Sequence, residues 1–490
     1  MIAVTLGLYL TILVTIGIAS GRKGSGSAED YFLAGRSLGS LVLFMALFGT
    51  NVTAFALLGL PGKAYHSGVG VFGFFGANAA VFGPLVFIIF GYPIWRFGKL
   101  HGFLTPTQMF SARWASAATG KVVLVLMLLY TIPYIVIGIM GGGIAIDKLT
   151  DGALDYSTAT AVVAAATVFY TTLGGMRGTA WTNVFQASVF LIFLVVAAIG
   201  IALHHGGSTA IGERIASEKP LLLVENFPPG MWATAFLVGP VSVIAFPHMF
   251  LRILAARDSR AFDRTVSIYP IALLLLFIPV TLIGLWGAVL IPDLVGKASD
   301  GILPQLVATS LPEWLSAVGL AAILAAVMSS LDGQMLALST LFTVDLLGDR
   351  GDPRRQGRIT IVALALVAWL IALERPEAIF GISQFAFSGY TLIVPVLAAA
   401  FFWPGSSAAG VIVGSLAGHG LLAIDALLAF QGSLSLKALG VMPVLPCLIV
   451  EVAVMVGVSN FTGKPPEAAR AAFSDPFGPP PWRLGGVRTP

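Results

Sequence analysis

Phe48-Gly49-Thr50-Asn51-Val52-Thr53-Ala54 puts a glycine and three polar side chains into the middle of an apolar block that runs over residues 38–59. As a helix rising ~1.5 Å per residue, a block of that length crosses ~30 Å of hydrocarbon, so its polar centre falls near the bilayer midplane. Leu58-Gly59-Leu60-Pro61-Gly62 then ends it. A second block, 231–251, carries Val238-Gly239-Pro240-Val241-Ser242 at its middle and Phe246-Pro247-His248 lower down. Proline inside a helix removes one hydrogen bond and clashes with the carbonyl four residues back. Backbone freed at that depth is tolerated only where it is buried in protein or lines a water-filled cavity.

Composition sets the frame around these two blocks. The 490 residues are 57% apolar and 10% charged, with mean hydropathy +0.93, whereas a soluble chain carries about a quarter charged residues. Apolar stretches of helical length, rather than short alternating strands, argue for membrane helices over a barrel. Spans are read at 2–20, 38–59, 69–95, 120–145, 158–173, 182–203, 231–251, 267–291, 314–347, 359–373, 378–402, 407–430 and 441–459, thirteen in all. The single Cys447 excludes an intramolecular disulfide and reads as a small packing residue. The net charge of +4 and pI of 9.2 do not indicate a nucleic-acid binder, because the basic residues lie between apolar blocks.

Those basic residues orient the chain. With the C-terminus cytoplasmic, 20 of the 27 Lys and Arg fall on inside segments, among them Arg22, Lys23, Arg96, Arg177, Arg350 and the tail residues Lys464 to Arg488. Such a bias predicts an N-out, C-in topology. The first block has no basic residue before it and reads as an uncleaved span. The tail, which contains Phe477-Gly-Pro-Pro-Pro-Trp482, reads as a disordered cytoplasmic end.

The interrupted blocks are the second and seventh spans, five apart. Spans two to six and seven to eleven therefore form two units that each begin with a broken helix, and the odd number inverts the second unit in the membrane. Broken helices in matching places meet at a midplane site. Gly/Pro kinks are common in membrane helices, and the matched position is what favours a central site over two incidental kinks. The expected divisions are 1–37 (first extra helix and loop), 38–203 (first repeat), 204–230 (extracellular loop), 231–402 (second repeat), 403–460 (two extra helices) and 461–490 (tail).

In the ninth span, Ala325-Ala326-Val327-Met328-Ser329-Ser330-Leu331-Asp332-Gly333-Gln334 places Ala326, Ser329 and Ser330 on one helical face. Two hydroxyls and a carbonyl facing unwound backbone at Gly49 and Val52 make a small all-oxygen cage suited to a hard monovalent cation. Small residues and serines also mediate plain helix packing, with hydroxyls bonded to the preceding turn. Asp332 is the more telling residue, since a carboxylate deep in a span is costly and usually functional. Proton carrier, support for the cation, and partner to a nearby polar group are all open to it.

Four stretches in order resemble the sodium:solute symporter family: Asp30-Tyr-Phe-Leu-Ala-Gly-Arg-Ser-Leu-Gly39, Tyr170-Thr-Thr-Leu-Gly-Gly-Met-Arg-Gly-Thr-Ala-Trp-Thr-Asn-Val-Phe-Gln186, Phe246-Pro-His-Met-Phe-Leu-Arg252 with Ala255-Ala-Arg-Asp258, and Ala325 to Gln334. The Pro-His stretch looks like the proline and pantothenate branch. The resemblance implies an all-α membrane protein with a LeuT-like fold of two inverted five-helix repeats, one extra helix before them and two after. It also implies Na+-coupled uptake by alternating access. By the same resemblance, sodium is held by Gly49, Val52, Ala326, Ser329 and Ser330. Substrate lies against Asn51, Thr53 and Phe55, with Gly239 and Ser242 opposite and Tyr134, Gln384 and Tyr390 at the wall and gate. Several relatives have aspartate where this chain has Asn183, and the proline permease has one where it has Asn51. These departures predict a single coupling ion and weaken the case for proline.

No Lys, Arg or Glu stands at the inferred midplane, so a carboxylate would be met by a half-helix N-terminus. The Pro-His resemblance favours a small carboxylate-bearing solute (a monocarboxylate, pantothenate-like compound or amino acid) over a sugar. His248 and Arg252 read as a gate or lipid-interface pair at the cytoplasmic end. A proton-coupled carrier with Asp332 titrating, and a transporter-derived sensor, are the competing readings. No hydrolase triad, phosphate loop or metal-ligand cluster appears, so an enzyme is not expected. The expected partners are the solute and the lipid bilayer, with no nucleic acid and no obligate protein, and the expected location is a bacterial inner membrane.

Overall fold

The computed structural model describes residues 1–21, 27–348, 351–375, 377–432 and 435–479. Arg22, Lys23, Arg350, Arg483 and Arg488, which help to orient the chain, lie outside the described residues. Among the described residues every regular element is a helix, apart from one isolated bridge between Leu38 and Ala256. Among the described residues, nine helices are long and apolar enough to cross a membrane, or up to eleven when each of two sharply bent pairs counts as one span. That is below the thirteen expected; Val4–Ser20 is apolar but shorter, and Tyr156–His204 is one 49-residue element turned at Gly175 (φ 53°) where two spans were expected.

The first bent pair is Ser40–Asn51 with Phe55–Ser67, at 57°. The first half ends where Val52 turns extended (φ −83°, ψ 113°). The second half is restarted by Thr53, whose hydroxyl accepts from Phe55 N–H at 3.1 Å, the local bonding that lets threonine compete with a continuous helix. The second pair, Pro229–Ala245 with Pro247–Leu254, is bent by 58°. Its break falls at Phe246 (φ −64°, ψ 128°), not at Gly239-Pro240, which lies inside the Pro229–Ser242 helix. The reason is local. A residue before proline is pushed out of the helical region, and Pro247 then opens the next helix, where its missing N–H costs nothing.

Sequence stretches far apart hold one end of the helix bundle together. Asp30 pairs with Arg177 at 2.7 Å. Leu38 N–H donates to Ala255 at 3.1 Å, and Arg257 N–H donates to Leu38 at 2.9 Å. Gly175 is required both by its positive φ and because a Cβ there would stand 2.8 Å from the Tyr31 carbonyl. The part of the tail up to residue 479, expected to be disordered, instead folds back onto the helix ending at His101. Phe473 is buried against Phe97, His101 and Phe103, with centroids at 4.8, 5.7 and 6.2 Å. Arg96 donates to the Asp475 carbonyl at 2.6 Å. Phe473 supplies the apolar burial that the Pro/Gly composition alone did not reveal, whereas Phe477 lies 54% exposed beside Phe402.

Candidate functional site

The two breaks lie beside the Glu313–Leu341 helix and the long Tyr156–His204 element. Ser329 Oγ is 2.9 Å from the Gly49 carbonyl and 2.8 Å from the Ala326 carbonyl. Three oxygens expected in one cage are thus in contact, in a region where Gly49, Ala326 and Ser329 are all buried. Ser330 is buried too, but its hydroxyl donates to Val327 on its own helix at 2.8 Å. Val52, also buried, is the extended residue that frees the end of the first half-helix. The approach of the two helices is set by Gly333, where a Cβ would lie 2.3 Å from Thr50 Cγ2.

Behind this cage lies a polar cluster with no exposure to solvent. Asp332 and Arg252 face each other at 3.7 Å, with side chains 0% and 1% exposed. Asp332 Oδ2 has the Tyr170 hydroxyl at 3.1 Å and Thr182 Oγ1 at 3.5 Å. Arg252 Nη2 donates to Thr179 Oγ1 at 3.1 Å. In the amide orientation that gives both ends of Asn183 a partner, its nitrogen donates to Asp332 at 3.2 Å, and its oxygen accepts from Thr50 at 2.7 Å and from Arg252 at 3.2 Å. Asn183 therefore joins the cage to the ion pair. Gln186 donates to Tyr9 at 2.9 Å further along the same helix. Of the gate and lipid-interface roles expected of Arg252, the lipid-interface one does not fit its burial at 1% exposure: its half-helix turns inward after Pro247, and a buried guanidinium needs these acceptors. His248 is likewise 1% exposed, stacked beside Tyr134 and Phe246 with centroids at 6.2 and 5.2 Å.

A group of aromatic rings spans the two breaks. Phe55 packs on Phe75 and Phe387 with centroids at 4.7 and 4.8 Å. Tyr134 lies 5.4 Å from Phe246, and Phe246 lies 4.4 Å from Tyr390. Thr53 Oγ1 and Tyr134 OH are 3.4 Å apart, and Tyr390 OH and Thr131 Oγ1 are 2.5 Å apart. Thr53, Phe55, Tyr134 and Tyr390 thus come together in one cluster. Others do not. Asn51 lines a separate, mostly apolar cleft with Pro240 and Tyr269. Ser242 donates to Gly239 within its own helix at 2.7 Å, and Gly239 faces Asn78. Gln384 is half-buried and offers its carbonyl to Ser388 at 2.8 Å. Phe246, Phe75 and Phe387 were missed; the proline after Phe246 is the signal that marks it as the unwound residue.

In the loop before the Ile302–Ser310 helix, Asp300 caps the helix that carries Tyr390: its Oδ2 accepts from Ile379 N–H at 2.9 Å. Its other oxygen lies 3.1 Å from where a Cβ on Gly62 would stand. Burial pushes the Asp300 carboxyl up to about 7, against the lowering effect of that N–H bond.

Broken helices meeting at oxygen-lined, buried polar groups define a secondary transporter. The sodium:solute symporter family model matches residues 31–418, and the chain belongs to that family. It is similar to the sodium/pantothenate symporter of Escherichia coli K12, at 26% identity over 94% of this chain and 96% of that protein. It is also similar to the E. coli K12 sodium/proline symporter, at 25% identity over 84% and 86%. Among solved structures, a Na+-coupled sialic acid symporter superposes with TM-score 0.80 at 19% identity, covering 95% of this chain and 99% of that one. A nucleobase-cation-symport-1 family transporter superposes with TM-score 0.60 at 15% identity. The fold is LeuT-like, and the protein is an integral membrane, sodium-coupled symporter of a small organic solute, not an enzyme.

Proposed function

We propose that the protein imports a small carboxylate-bearing solute (a monocarboxylate, pantothenate-like compound or amino acid) together with one sodium ion, by alternating access across a bacterial inner membrane. Sodium is held by the carbonyls of Gly49, Val52 and Ala326 and the hydroxyls of Ser329 and Ser330. The observation that carries this reading is the contact of Gly49 O, Ala326 O and Ser329 Oγ at the first break. An all-oxygen, uncharged donor set suits a hard monovalent cation rather than a softer metal. Ser330 joins by a rotation of its hydroxyl away from Val327.

The solute lies against Thr53, Phe55, Tyr134 and Tyr390. Pantothenate, proline and sialic acid, named for the similar proteins, all carry a carboxylate. In a site whose walls are aromatic, the positive end of the Phe55–Ser67 half-helix is the natural partner of that group. Gly239, Ser242, Asn51 and Gln384 contribute to the surrounding shell and gate.

A thermal-shift screen of purified protein against monocarboxylates, pantothenate, amino acids and sugars, each in sodium or choline, tests the reading. At least one carboxylate should raise the melting temperature only with sodium present. Stabilisation by a sugar alone, or by no carboxylate, would reject the solute class.

A further inference from the structure

We infer that Arg252 is a tethered cation that holds the place of a second coupling ion beside Asp332. The inference rests on the sodium reading above and deepens it, because it names what limits the site to one ion.

The guanidinium nitrogen Nη2 sits among oxygens: Thr179 Oγ1 at 3.1 Å, Asn183 Oδ1 at 3.2 Å and Asp332 Oδ1 at 3.7 Å. A carboxylate, an amide carbonyl and a hydroxyl around one point are the donor set of a hard cation, and here that point is filled by the protein's own charge. Asp332 Oδ1 has no hydrogen bond in the structure, so what faces it is charge alone. The other groups around the pair, Tyr170, Thr182 and Gln186, are uncharged at neutral pH. Neither charge reaches solvent, and a buried carboxylate without a counter-ion is strongly destabilising. Arginine rather than lysine guarantees that the counter-ion is always present, since a guanidinium does not lose its proton. Asn183 bridges this pocket to Thr50, next to Gly49, so the cage feels a neutral pair rather than a bare carboxylate.

Equilibrium binding of ²²Na+ to the purified full-length protein, counted per molecule alongside thermal melts, tests the idea. Wild type should bind one ion. Arg252→Gln should bind two, because the vacated donors and the freed carboxylate take up sodium. Arg252→Lys and the double variant Arg252→Gln/Asp332→Asn should each return to one. Asp332→Asn alone strands the guanidinium near the cage and should weaken sodium binding roughly tenfold or more, with recovery in the double variant. That comparison decides the matter if Arg252→Gln does not fold. One ion in Arg252→Gln at wild-type affinity, or undiminished sodium affinity in Asp332→Asn, overturns the tether and leaves the cage standing. No binding to wild type overturns the cage itself and the tether with it.

Discussion

Ser329→Ala isolates the cage from the packing around it. The side chain is wholly buried, and its hydroxyl lies 2.9 Å from Gly49 O and 2.8 Å from Ala326 O. Without sodium, the loss is one neutral hydrogen bond, worth about 0.5–1.5 kcal/mol. With sodium bound, the same oxygen faces a full charge, and contacts of that kind are worth about 1.5–3 kcal/mol. Only the difference between the two losses, about 1–1.5 kcal/mol, weakens binding, which corresponds to roughly 5- to 13-fold weaker sodium binding. Two measurements on purified protein separate the terms: the melting temperature in choline, which should fall modestly, and the ²²Na+ dissociation constant, which should rise within that range. Gly49→Ala is the paired control. A Cβ there meets Asn183 Cβ at 3.4 Å and Ala187 Cβ at 3.5 Å, a contact the packing accommodates with little shift. Because the proposed ligand at position 49 is the carbonyl, sodium affinity should be kept. Ser329→Ala that melts lower but binds sodium within twofold of wild type would refute the cage, leaving Ser329 as a packing residue.

Three further outcomes are expected. Phe55→Ala removes a ring packed on Phe75 and Phe387; it should cost about 3–5 kcal/mol of stability and abolish solute-dependent stabilisation while ²²Na+ binding survives. Gly389→Ala drives a Cβ to 2.1 Å from the Tyr130 ring, so the two helices must separate; a loss of about 1–3 kcal/mol should appear as a lower melting temperature, and an unchanged one would show that the interface is loose. Asp300 has a folded pKa of about 7, above its unfolded value of about 3.9, so the stability it contributes is full at acid pH and is lost as pH rises through 7. Asp300→Asn keeps an acceptor for Ile379 N–H and should therefore melt higher than wild type at pH 8, with the gap closing towards pH 5; a gap that does not depend on pH would show that the carboxyl does not titrate there.

Much of this architecture is legible in the sequence, for physical reasons that also mark where legibility ends. Hydrocarbon length and charge scarcity announce membrane helices without any tertiary information. The polar run from Thr50 to Thr53 is readable as a break because such side chains are expensive at mid-membrane unless backbone or a site uses them. Pro240 misleads because the Pro229–Ser242 helix runs on through it, whereas Pro247 sets a break in the residue before it. The i, i+3, i+4 spacing of Ala326, Ser329 and Ser330 correctly gives a shared face, but which hydroxyl turns across to Gly49 depends on helix approach at Gly333, a tertiary fact. Arg252 reads as a cytoplasmic-end charge in one dimension; only the bend at Phe246 shows that it points at Asp332. The tail's Phe473 finds its burial in Phe97 and Phe103, some 370 residues earlier in the chain, which no local window contains.

The near absence of charge at the cage bears on how a carrier of this kind can cycle. A carboxylate placed directly among Gly49, Ala326 and Ser329 would bind sodium tightly, but once the ion left it would stand bare in a low-dielectric interior, at a penalty of several kcal/mol. The unloaded protein would then be trapped in whichever state hydrated that charge. In the proposed cage the sodium ligands are dipoles. The Ser40–Asn51 half-helix ends at the cage, and a helix C-terminus carries about half a negative charge from its unpaired carbonyls. Asp332, the one carboxylate nearby among the described residues, faces Arg252 at 3.7 Å. The empty site is consequently neutral, and returning it across the membrane requires no counter-ion. On the proposed assignment, carbonyl dipoles rather than a fixed charge attract sodium, so the same site can take up the ion and release it while the Arg252–Asp332 pair behind stays matched.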